Sequence, residues 1–141
     1  MKIETLECKN IISKNFEGDL VFSMDSLSFV GGVDIKTGNI SDYRHKNYKE
    51  NITNKIFAFP FGKGSSGAGL VLMEMMRIKT APAVLINIYT DPVILTGPLI
   101  CKYFYDEILS VINLSKEDYQ KLDGAKKVKI YENENKIDVF Y

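Results

Sequence analysis

Apolar and polar residues alternate over Lys126 to Tyr131 and again over Lys136 to Tyr141, which predicts a hairpin closing around Glu132-Asn133-Glu134-Asn135. Ile3 to Cys8 and Gly18 to Phe22 read as further strands, and Val33-Asp34-Ile35 is expected to pair with Ile40 across Lys36-Thr37-Gly38-Asn39. A polar loop from Asp42 to Asn54 then leads into a strand over Lys55 to Phe59.

The pattern changes abruptly after Phe59. An apolar run breaks into Gly62-Lys63-Gly64-Ser65-Ser66-Gly67 and resumes as a helix, predicted over Ala68 to Arg77. That helix is apolar nearly all round, with Glu74 and Arg77 as its only charges, so burial on more than one side is expected. Its Met73, Met75 and Met76 read as core fillers. Ala83 to Ile88 predicts a buried central strand, and Val93 to Leu95 a second one, closed by Thr96-Gly97-Pro98. Leu99 to Ile112 is open between states, although Ile100, Phe104, Ile108 and Val111 fit one helical face. Ser115 caps a short helix that Gly124 ends. The whole predicts one mixed α/β domain over residues 1–141, a compact β-barrel or sandwich flanked by helices, with the glycine-serine turn exposed at one end.

A chain of 141 residues buries roughly 68 to 70% of its unfolded surface, enough for a real core. Eighteen basic residues balance eighteen acidic ones, so no global field attracts nucleic acid or an anionic membrane, and any anion preference is local. No apolar run approaches the roughly 20 residues that span a bilayer. The N-terminal segment lacks a signal-peptide apolar core, so a cytoplasmic location is expected. Cys8 and Cys101, the only cysteines, have no C-x-x-C spacing and no histidine nearby, so the ligand count excludes a self-contained zinc or iron-sulfur site; free thiols are expected. His45, the only histidine, reads as a structural or surface residue rather than a base.

The glycine-serine turn carries the chemistry. Glycines let backbone approach a ligand closely, and a following helix aims N–H groups and a partial positive charge at the turn, as an anion site requires. Ser66 also suits a plain N-cap. The G-x-x-x-x-G-K-S/T phosphate loop is absent, because Lys63 precedes both serines. Gly62, Gly64 and Gly67 match G-x-G-x-x-G only superficially, with Asn87 and Asp91 near the place where an acidic ribose ligand would stand. A stand-alone phosphate- or nucleotide-binding module built on Gly62 to Gly67 is therefore one functional reading.

The other comes from resemblance. Gly32-Val33-Asp34 with Thr37-Gly38, Asp42 and His45, Phe59-Pro60 with Gly62-Lys63-Gly64-Ser65-Ser66, Ala81-Pro82-Ala83 leading to Asn87, and Gly97 together resemble the small subunit, or swivel domain, of the aconitase X dehydratases. The resemblance spans roughly Cys8 to Tyr141. It implies a swivelling β/β/α domain that closes on a large subunit carrying a 4Fe-4S or related cluster, with none held by this chain. The implied activity is a hydro-lyase acting on a small hydroxy acid such as phosphomevalonate or a hydroxyproline. The family's catalytic serine maps onto Ser65 as the proton-abstracting base, with Lys63, Gly64 and Ser66 as substrate-binding residues. Lys46 stands where the family usually has proline, Asn54 where glycine is common, and Lys102 to Asp106 departs from the family pattern.

Overall fold

A computed structural model describes residues 1–63 and 66–141. Among these residues eight strands form one sheet: β1 (Ile3–Glu7), β2 (Lys9–Ile12), β3 (Phe16–Phe22), β4 (Ile56–Ala58), β5 (Val84–Asn87), β6 (Ser110–Asn113), β7 (Lys127–Ile130) and β8 (Lys136–Phe140). Their order is β1-β8-β7-β3-β4-β5-β6-β2. The central β3, β4, β5 and β6 are parallel, and every other pairing is antiparallel. The two edge strands, β1 and β2, follow one another across Cys8, whose N–H donates to Asn135 O at 3.1 Å, and so the sheet rolls into a nearly closed barrel.

Both faces of β4 and β5 are buried, which explains why they read as unbroken apolar runs. Ile56, Ala58, Val84, Ile86 and Ile112 point into the barrel with Val128, Ile130, Ile137, Val139 and Tyr119. Phe57, Phe59, Leu85 and Val111 face the other way, under the helices, where they meet Leu72, Met75 and Met76. Phe29, at the start of the short turn α1 (Phe29–Gly32), packs edge-on against Phe57 and Phe59, with ring centroids 6.4 and 5.7 Å away. Met75 and Met76 fill this core and Met73 packs half-buried against it. The helix α2 (Ala68–Ile78) buries Ala68, Gly69, Leu72, Met75 and Met76, while Leu70 stands exposed.

The structure corrects one strand. Val93 to Leu95 is the first turn of α3 (Pro92–Tyr105), because Asp91 Oδ1 accepts the Val93 N–H at 2.8 Å and Pro92 presets the first helical φ. Gly97-Pro98 lies inside that helix instead of ending it. The ambiguous segment splits in two. Ile100 and Phe104 lie on the exposed side of α3, and Val111 belongs to β6. The hairpin expected at Val33 is a single Val33–Ile40 bridge, and β2 adds a strand that the alternation did not reveal. The cap at Ser115 holds: its Oγ accepts the Asp118 N–H at 3.1 Å at the head of α4 (Lys116–Gln120), and Gly124 follows with φ +84°. Asn54 takes φ 53°, a left-handed turn that glycine enters freely and asparagine tolerates.

Candidate functional site

The glycine-serine turn leaves the sheet at the C-terminal end of β4, the edge of a parallel sheet where crevices for ligands form. Its stem is clamped on both sides. On one, Leu27 pairs with Gly62: Leu27 N–H donates to Phe61 O at 3.3 Å and Lys63 N–H to Leu27 O at 2.9 Å. On the other, Ile88 N–H donates to Pro60 O at 3.1 Å and the buried Asn87 side chain donates to Phe59 O at 2.7 Å. The backbone is therefore held as far as Lys63.

A cleft of about 300 Å³ opens beside the turn, lined by Gly62, Lys63, Ser66, Ala68, Asp91, Val93 and Ile94. The first turns of both α2 and α3 line it, which brings the N-terminal, partly positive ends of two helices beside one place. Asp91 spends one oxygen capping α3. At α2 the N-cap position belongs to Gly67, and Ser66 is exposed on the cleft.

Of the predicted site residues, Lys63 and Ser66 come together on the cleft with exposed side chains. Gly64 and Ser65 lie outside the described residues. The positive charge of Lys63 reaches Asp42 in the polar loop. Asp42 Oδ1 accepts the Arg44 N–H at 3.0 Å and Arg44 Nε at 3.3 Å. The Arg44 backbone bond first, then the Arg44 side chain and the charges of Arg44 and Lys63, hold the Asp42 carboxyl below its usual range. Asn87 is fully buried against Phe59 and Asp91 caps α3, so both candidates for an acidic ribose ligand are committed to positioning.

His45 is buried and structural. Its Nδ1 accepts the Asn47 N–H at 3.0 Å, which leaves Nε2 to carry the proton and donate to Ser23 Oγ at 3.3 Å. Ser23 in turn donates to Asp25 O at 3.0 Å, and Ser23 O accepts from the buried Tyr119 hydroxyl at 2.6 Å. This cluster ties the polar loop to the end of β3. Cys8 and Cys101 are both free thiols. Among the described residues no three His, Cys, Asp or Glu side chains gather as a metal site, and no helix is long and apolar enough to cross a membrane.

A larger cavity of about 630 Å³ lies at the opposite, N-terminal edge of the parallel strands, lined in part by Lys14, Asn54, Lys79 and Asp106. Neither Lys63 nor Ser66 lines it. The sequence reading missed Thr90, which links Asn87 to Asn113, and misread the start of α3; the Asp91-Pro92 pair was the available signal for the latter.

Known proteins resemble this chain over most of its length. The chain is 35% identical over 125 residues to a phosphomevalonate dehydratase small subunit of Methanococcoides burtonii, covering 89% of this chain and 88% of that one. It is 32% identical over 123 residues to the protein of the same name from Methanosarcina mazei, covering 87% and 82%. A crystal structure of Thermococcus kodakaraensis aconitase X in its holo-form superposes with a TM-score of 0.83 over 98% of this chain and 99% of the matched chain, at 24% identity, and so shares the fold. Residues 5–139 match the family model described as the aconitase X swivel domain, and with the fold and these relatives the chain belongs to the aconitase X swivel-domain family.

Proposed function

We propose that this chain is the small subunit of a two-chain phosphomevalonate dehydratase, with Ser65 as the base that removes the substrate's carbon-bound proton. The observation that carries the reading is the placement of the residues on either side of Ser65: Gly62 and Lys63 leave a clamped strand at the C-terminal sheet edge, and Ser66 and Gly67 stand at the head of α2, with an open cleft beside them. Relatives named as phosphomevalonate dehydratase small subunits, similar over most of their length, support the substrate.

A serine hydroxyl is a weak base unless its alkoxide is stabilised. Backbone N–H groups at the start of α2 and the Lys63 ammonium favour negative charge at this turn and supply that stabilisation. The same donors, with Lys63, Gly64 and Ser66, suit the carboxylate or phosphate of the substrate. As the proton passes from carbon to Ser65 Oγ, the electron pair of the broken C–H bond forms the new double bond and the hydroxyl departs. A 4Fe-4S or related cluster on the large partner would supply the Lewis acid for that departing hydroxyl.

The test is reconstitution. This chain and its large partner, purified separately and then mixed, are expected to dehydrate phosphomevalonate, while each alone is inert and this chain alone binds no iron. Turnover by this chain alone overturns the two-subunit reading. Turnover of a hydroxyproline in place of phosphomevalonate overturns the substrate. Tight nucleotide binding by this chain with no activity on mixing would instead favour the stand-alone binding module.

A further inference from the structure

We infer that Asn87 is the positioning residue of the glycine-serine turn, acting through the Phe59 carbonyl and backed by Thr90 and Asn113. The inference rests on the dehydratase reading above for its kinetic consequence only. β4 and β5 pair in parallel as Ile56 with Val84, Phe57 with Leu85 and Ala58 with Ile86, so Phe59 would come next, opposite Asn87. Phe59 N–H still donates to Ile86 O at 3.1 Å, as that register requires. The return bond does not follow it. Ile88 N–H goes to Pro60 O at 3.1 Å, one residue further along, and the vacated Phe59 carbonyl accepts from Asn87 Nδ2 at 2.7 Å. A side-chain amide thus replaces the ladder donor at the residue where β4 peels away toward Gly62 and Lys63.

The amide is itself fixed. Asn113 Nδ2 donates to Thr90 Oγ1 at 2.8 Å, and Thr90 Oγ1 donates to Asn87 Oδ1 at 2.9 Å. Every bond in the chain runs in one direction and ends on Phe59 O, which leaves the Asn87 amide no alternative orientation. Asn87 and Thr90 are buried, at 0% and 6% exposure, so water does not substitute for either bond. Thr90 immediately precedes Asp91, the cap of α3, and Asp91, Val93 and Ile94 line the cleft opposite Gly62 and Lys63. The relay therefore sets the spacing between the two walls of the cleft. None of its side chains lines the cleft, so their effect is on geometry and not on contact with substrate.

The discriminating substitution is Asn87→Asp, which keeps the shape but turns an acceptor toward the Phe59 carbonyl. Thr90→Val breaks the relay more gently, and Thr90→Ser retains it. In the isolated full chain, Asn87→Asp and Thr90→Val are expected to speed amide exchange at Ile88 and Lys63 by about tenfold or more, with Thr90→Ser unchanged. Unchanged exchange in Thr90→Val overturns the inference, and that variant decides the matter should Asn87→Asp not fold. In the reconstituted enzyme, kcat should fall about 10- to 100-fold with KM held within about twofold, and Thr90→Ser should restore kcat. Normal kcat in folded Thr90→Val complexes overturns the positioning role while leaving the dehydratase intact. An inactive wild-type complex would count against the dehydratase alone, since the exchange measurement needs neither partner nor substrate.

Discussion

The carbonyl of Gly69 lies where a side chain on Gly97 would begin: a Cβ built on Gly97 would sit 2.3 Å from Gly69 O, and one on Gly69 would sit 2.7 Å from Val93 O. α2 and α3 therefore touch backbone to backbone, which brings their first turns to the same cleft. Neither obstacle is a flexible side chain that can swing aside. Gly97→Ala must push the helices apart and is expected to cost about 1 to 3 kcal/mol, as overpacking typically does. Urea unfolding measures it, and a change below about 0.5 kcal/mol, the ordinary surface range, would contradict the crossing.

Alkaline pH should unfold the chain from a defined starting point. Burial pushes the Cys8 thiol from 9.0 up to about 11 and pushes the Tyr119 phenol well above its usual range. The bond to Asp138, then desolvation, raises Tyr131 from 10.0 to about 12. Each group stays protonated in the folded chain after its unfolded counterpart has ionised. Stability is thus full below pH 9 and falls as pH rises from 9 to 11 through Cys8 and from 10 to 12 through Tyr131. Cys8→Ala should make the fall in Tm above pH 9 shallower without abolishing it, because burial and then the charge of Glu107 raise the Cys101 thiol as well. A Tm that is flat to pH 11 in the unsubstituted chain would refute this.

Apolar side chains stand exposed near the heads of α2 and α3. Leu70 is 69% exposed, Tyr89 58% and Val93 37%, on the first turns of α2 and α3 and between β5 and α3. If the large partner closes over the turn, these positions become protected from exchange on mixing. Leu70→Asp should weaken assembly by about tenfold or more, by placing a charge in a desolvated contact, while leaving the fold of the chain unchanged. Equal affinity for Leu70→Asp would move the interface elsewhere.

Much of this architecture was legible in the chain, for identifiable reasons. Ile56 to Phe59 and Val84 to Ile86 are buried on both faces, so their unbroken apolar runs mark the central strands directly. β2 escaped notice because it is four residues long with a register shift between Asn10 and Ile12, which erases any clean alternation. Val93 to Leu95 read as a strand because Thr96-Gly97-Pro98 looks like a turn. In the fold, Gly97 serves instead as the contact point with Gly69. Of the site candidates, Lys63 and Ser66 share one cleft, as neighbours in a short polar turn can be expected to do. The Asn113–Thr90–Asn87 relay was not legible, because its members meet only once β5, β6 and the head of α3 have assembled.

The most direct measurement is turnover of phosphomevalonate by the reconstituted enzyme carrying Ser65→Ala, with Ser66→Ala as the matched control. Loss of a positioned base costs about 10² to 10⁴-fold or more in rate. Ser65→Ala should therefore abolish turnover while thermal stability and subunit association stay near normal, and Ser66→Ala should affect substrate binding or stability more than the chemical step. Near-normal turnover in Ser65→Ala, or a dead Ser66→Ala, would contradict the assignment of the base.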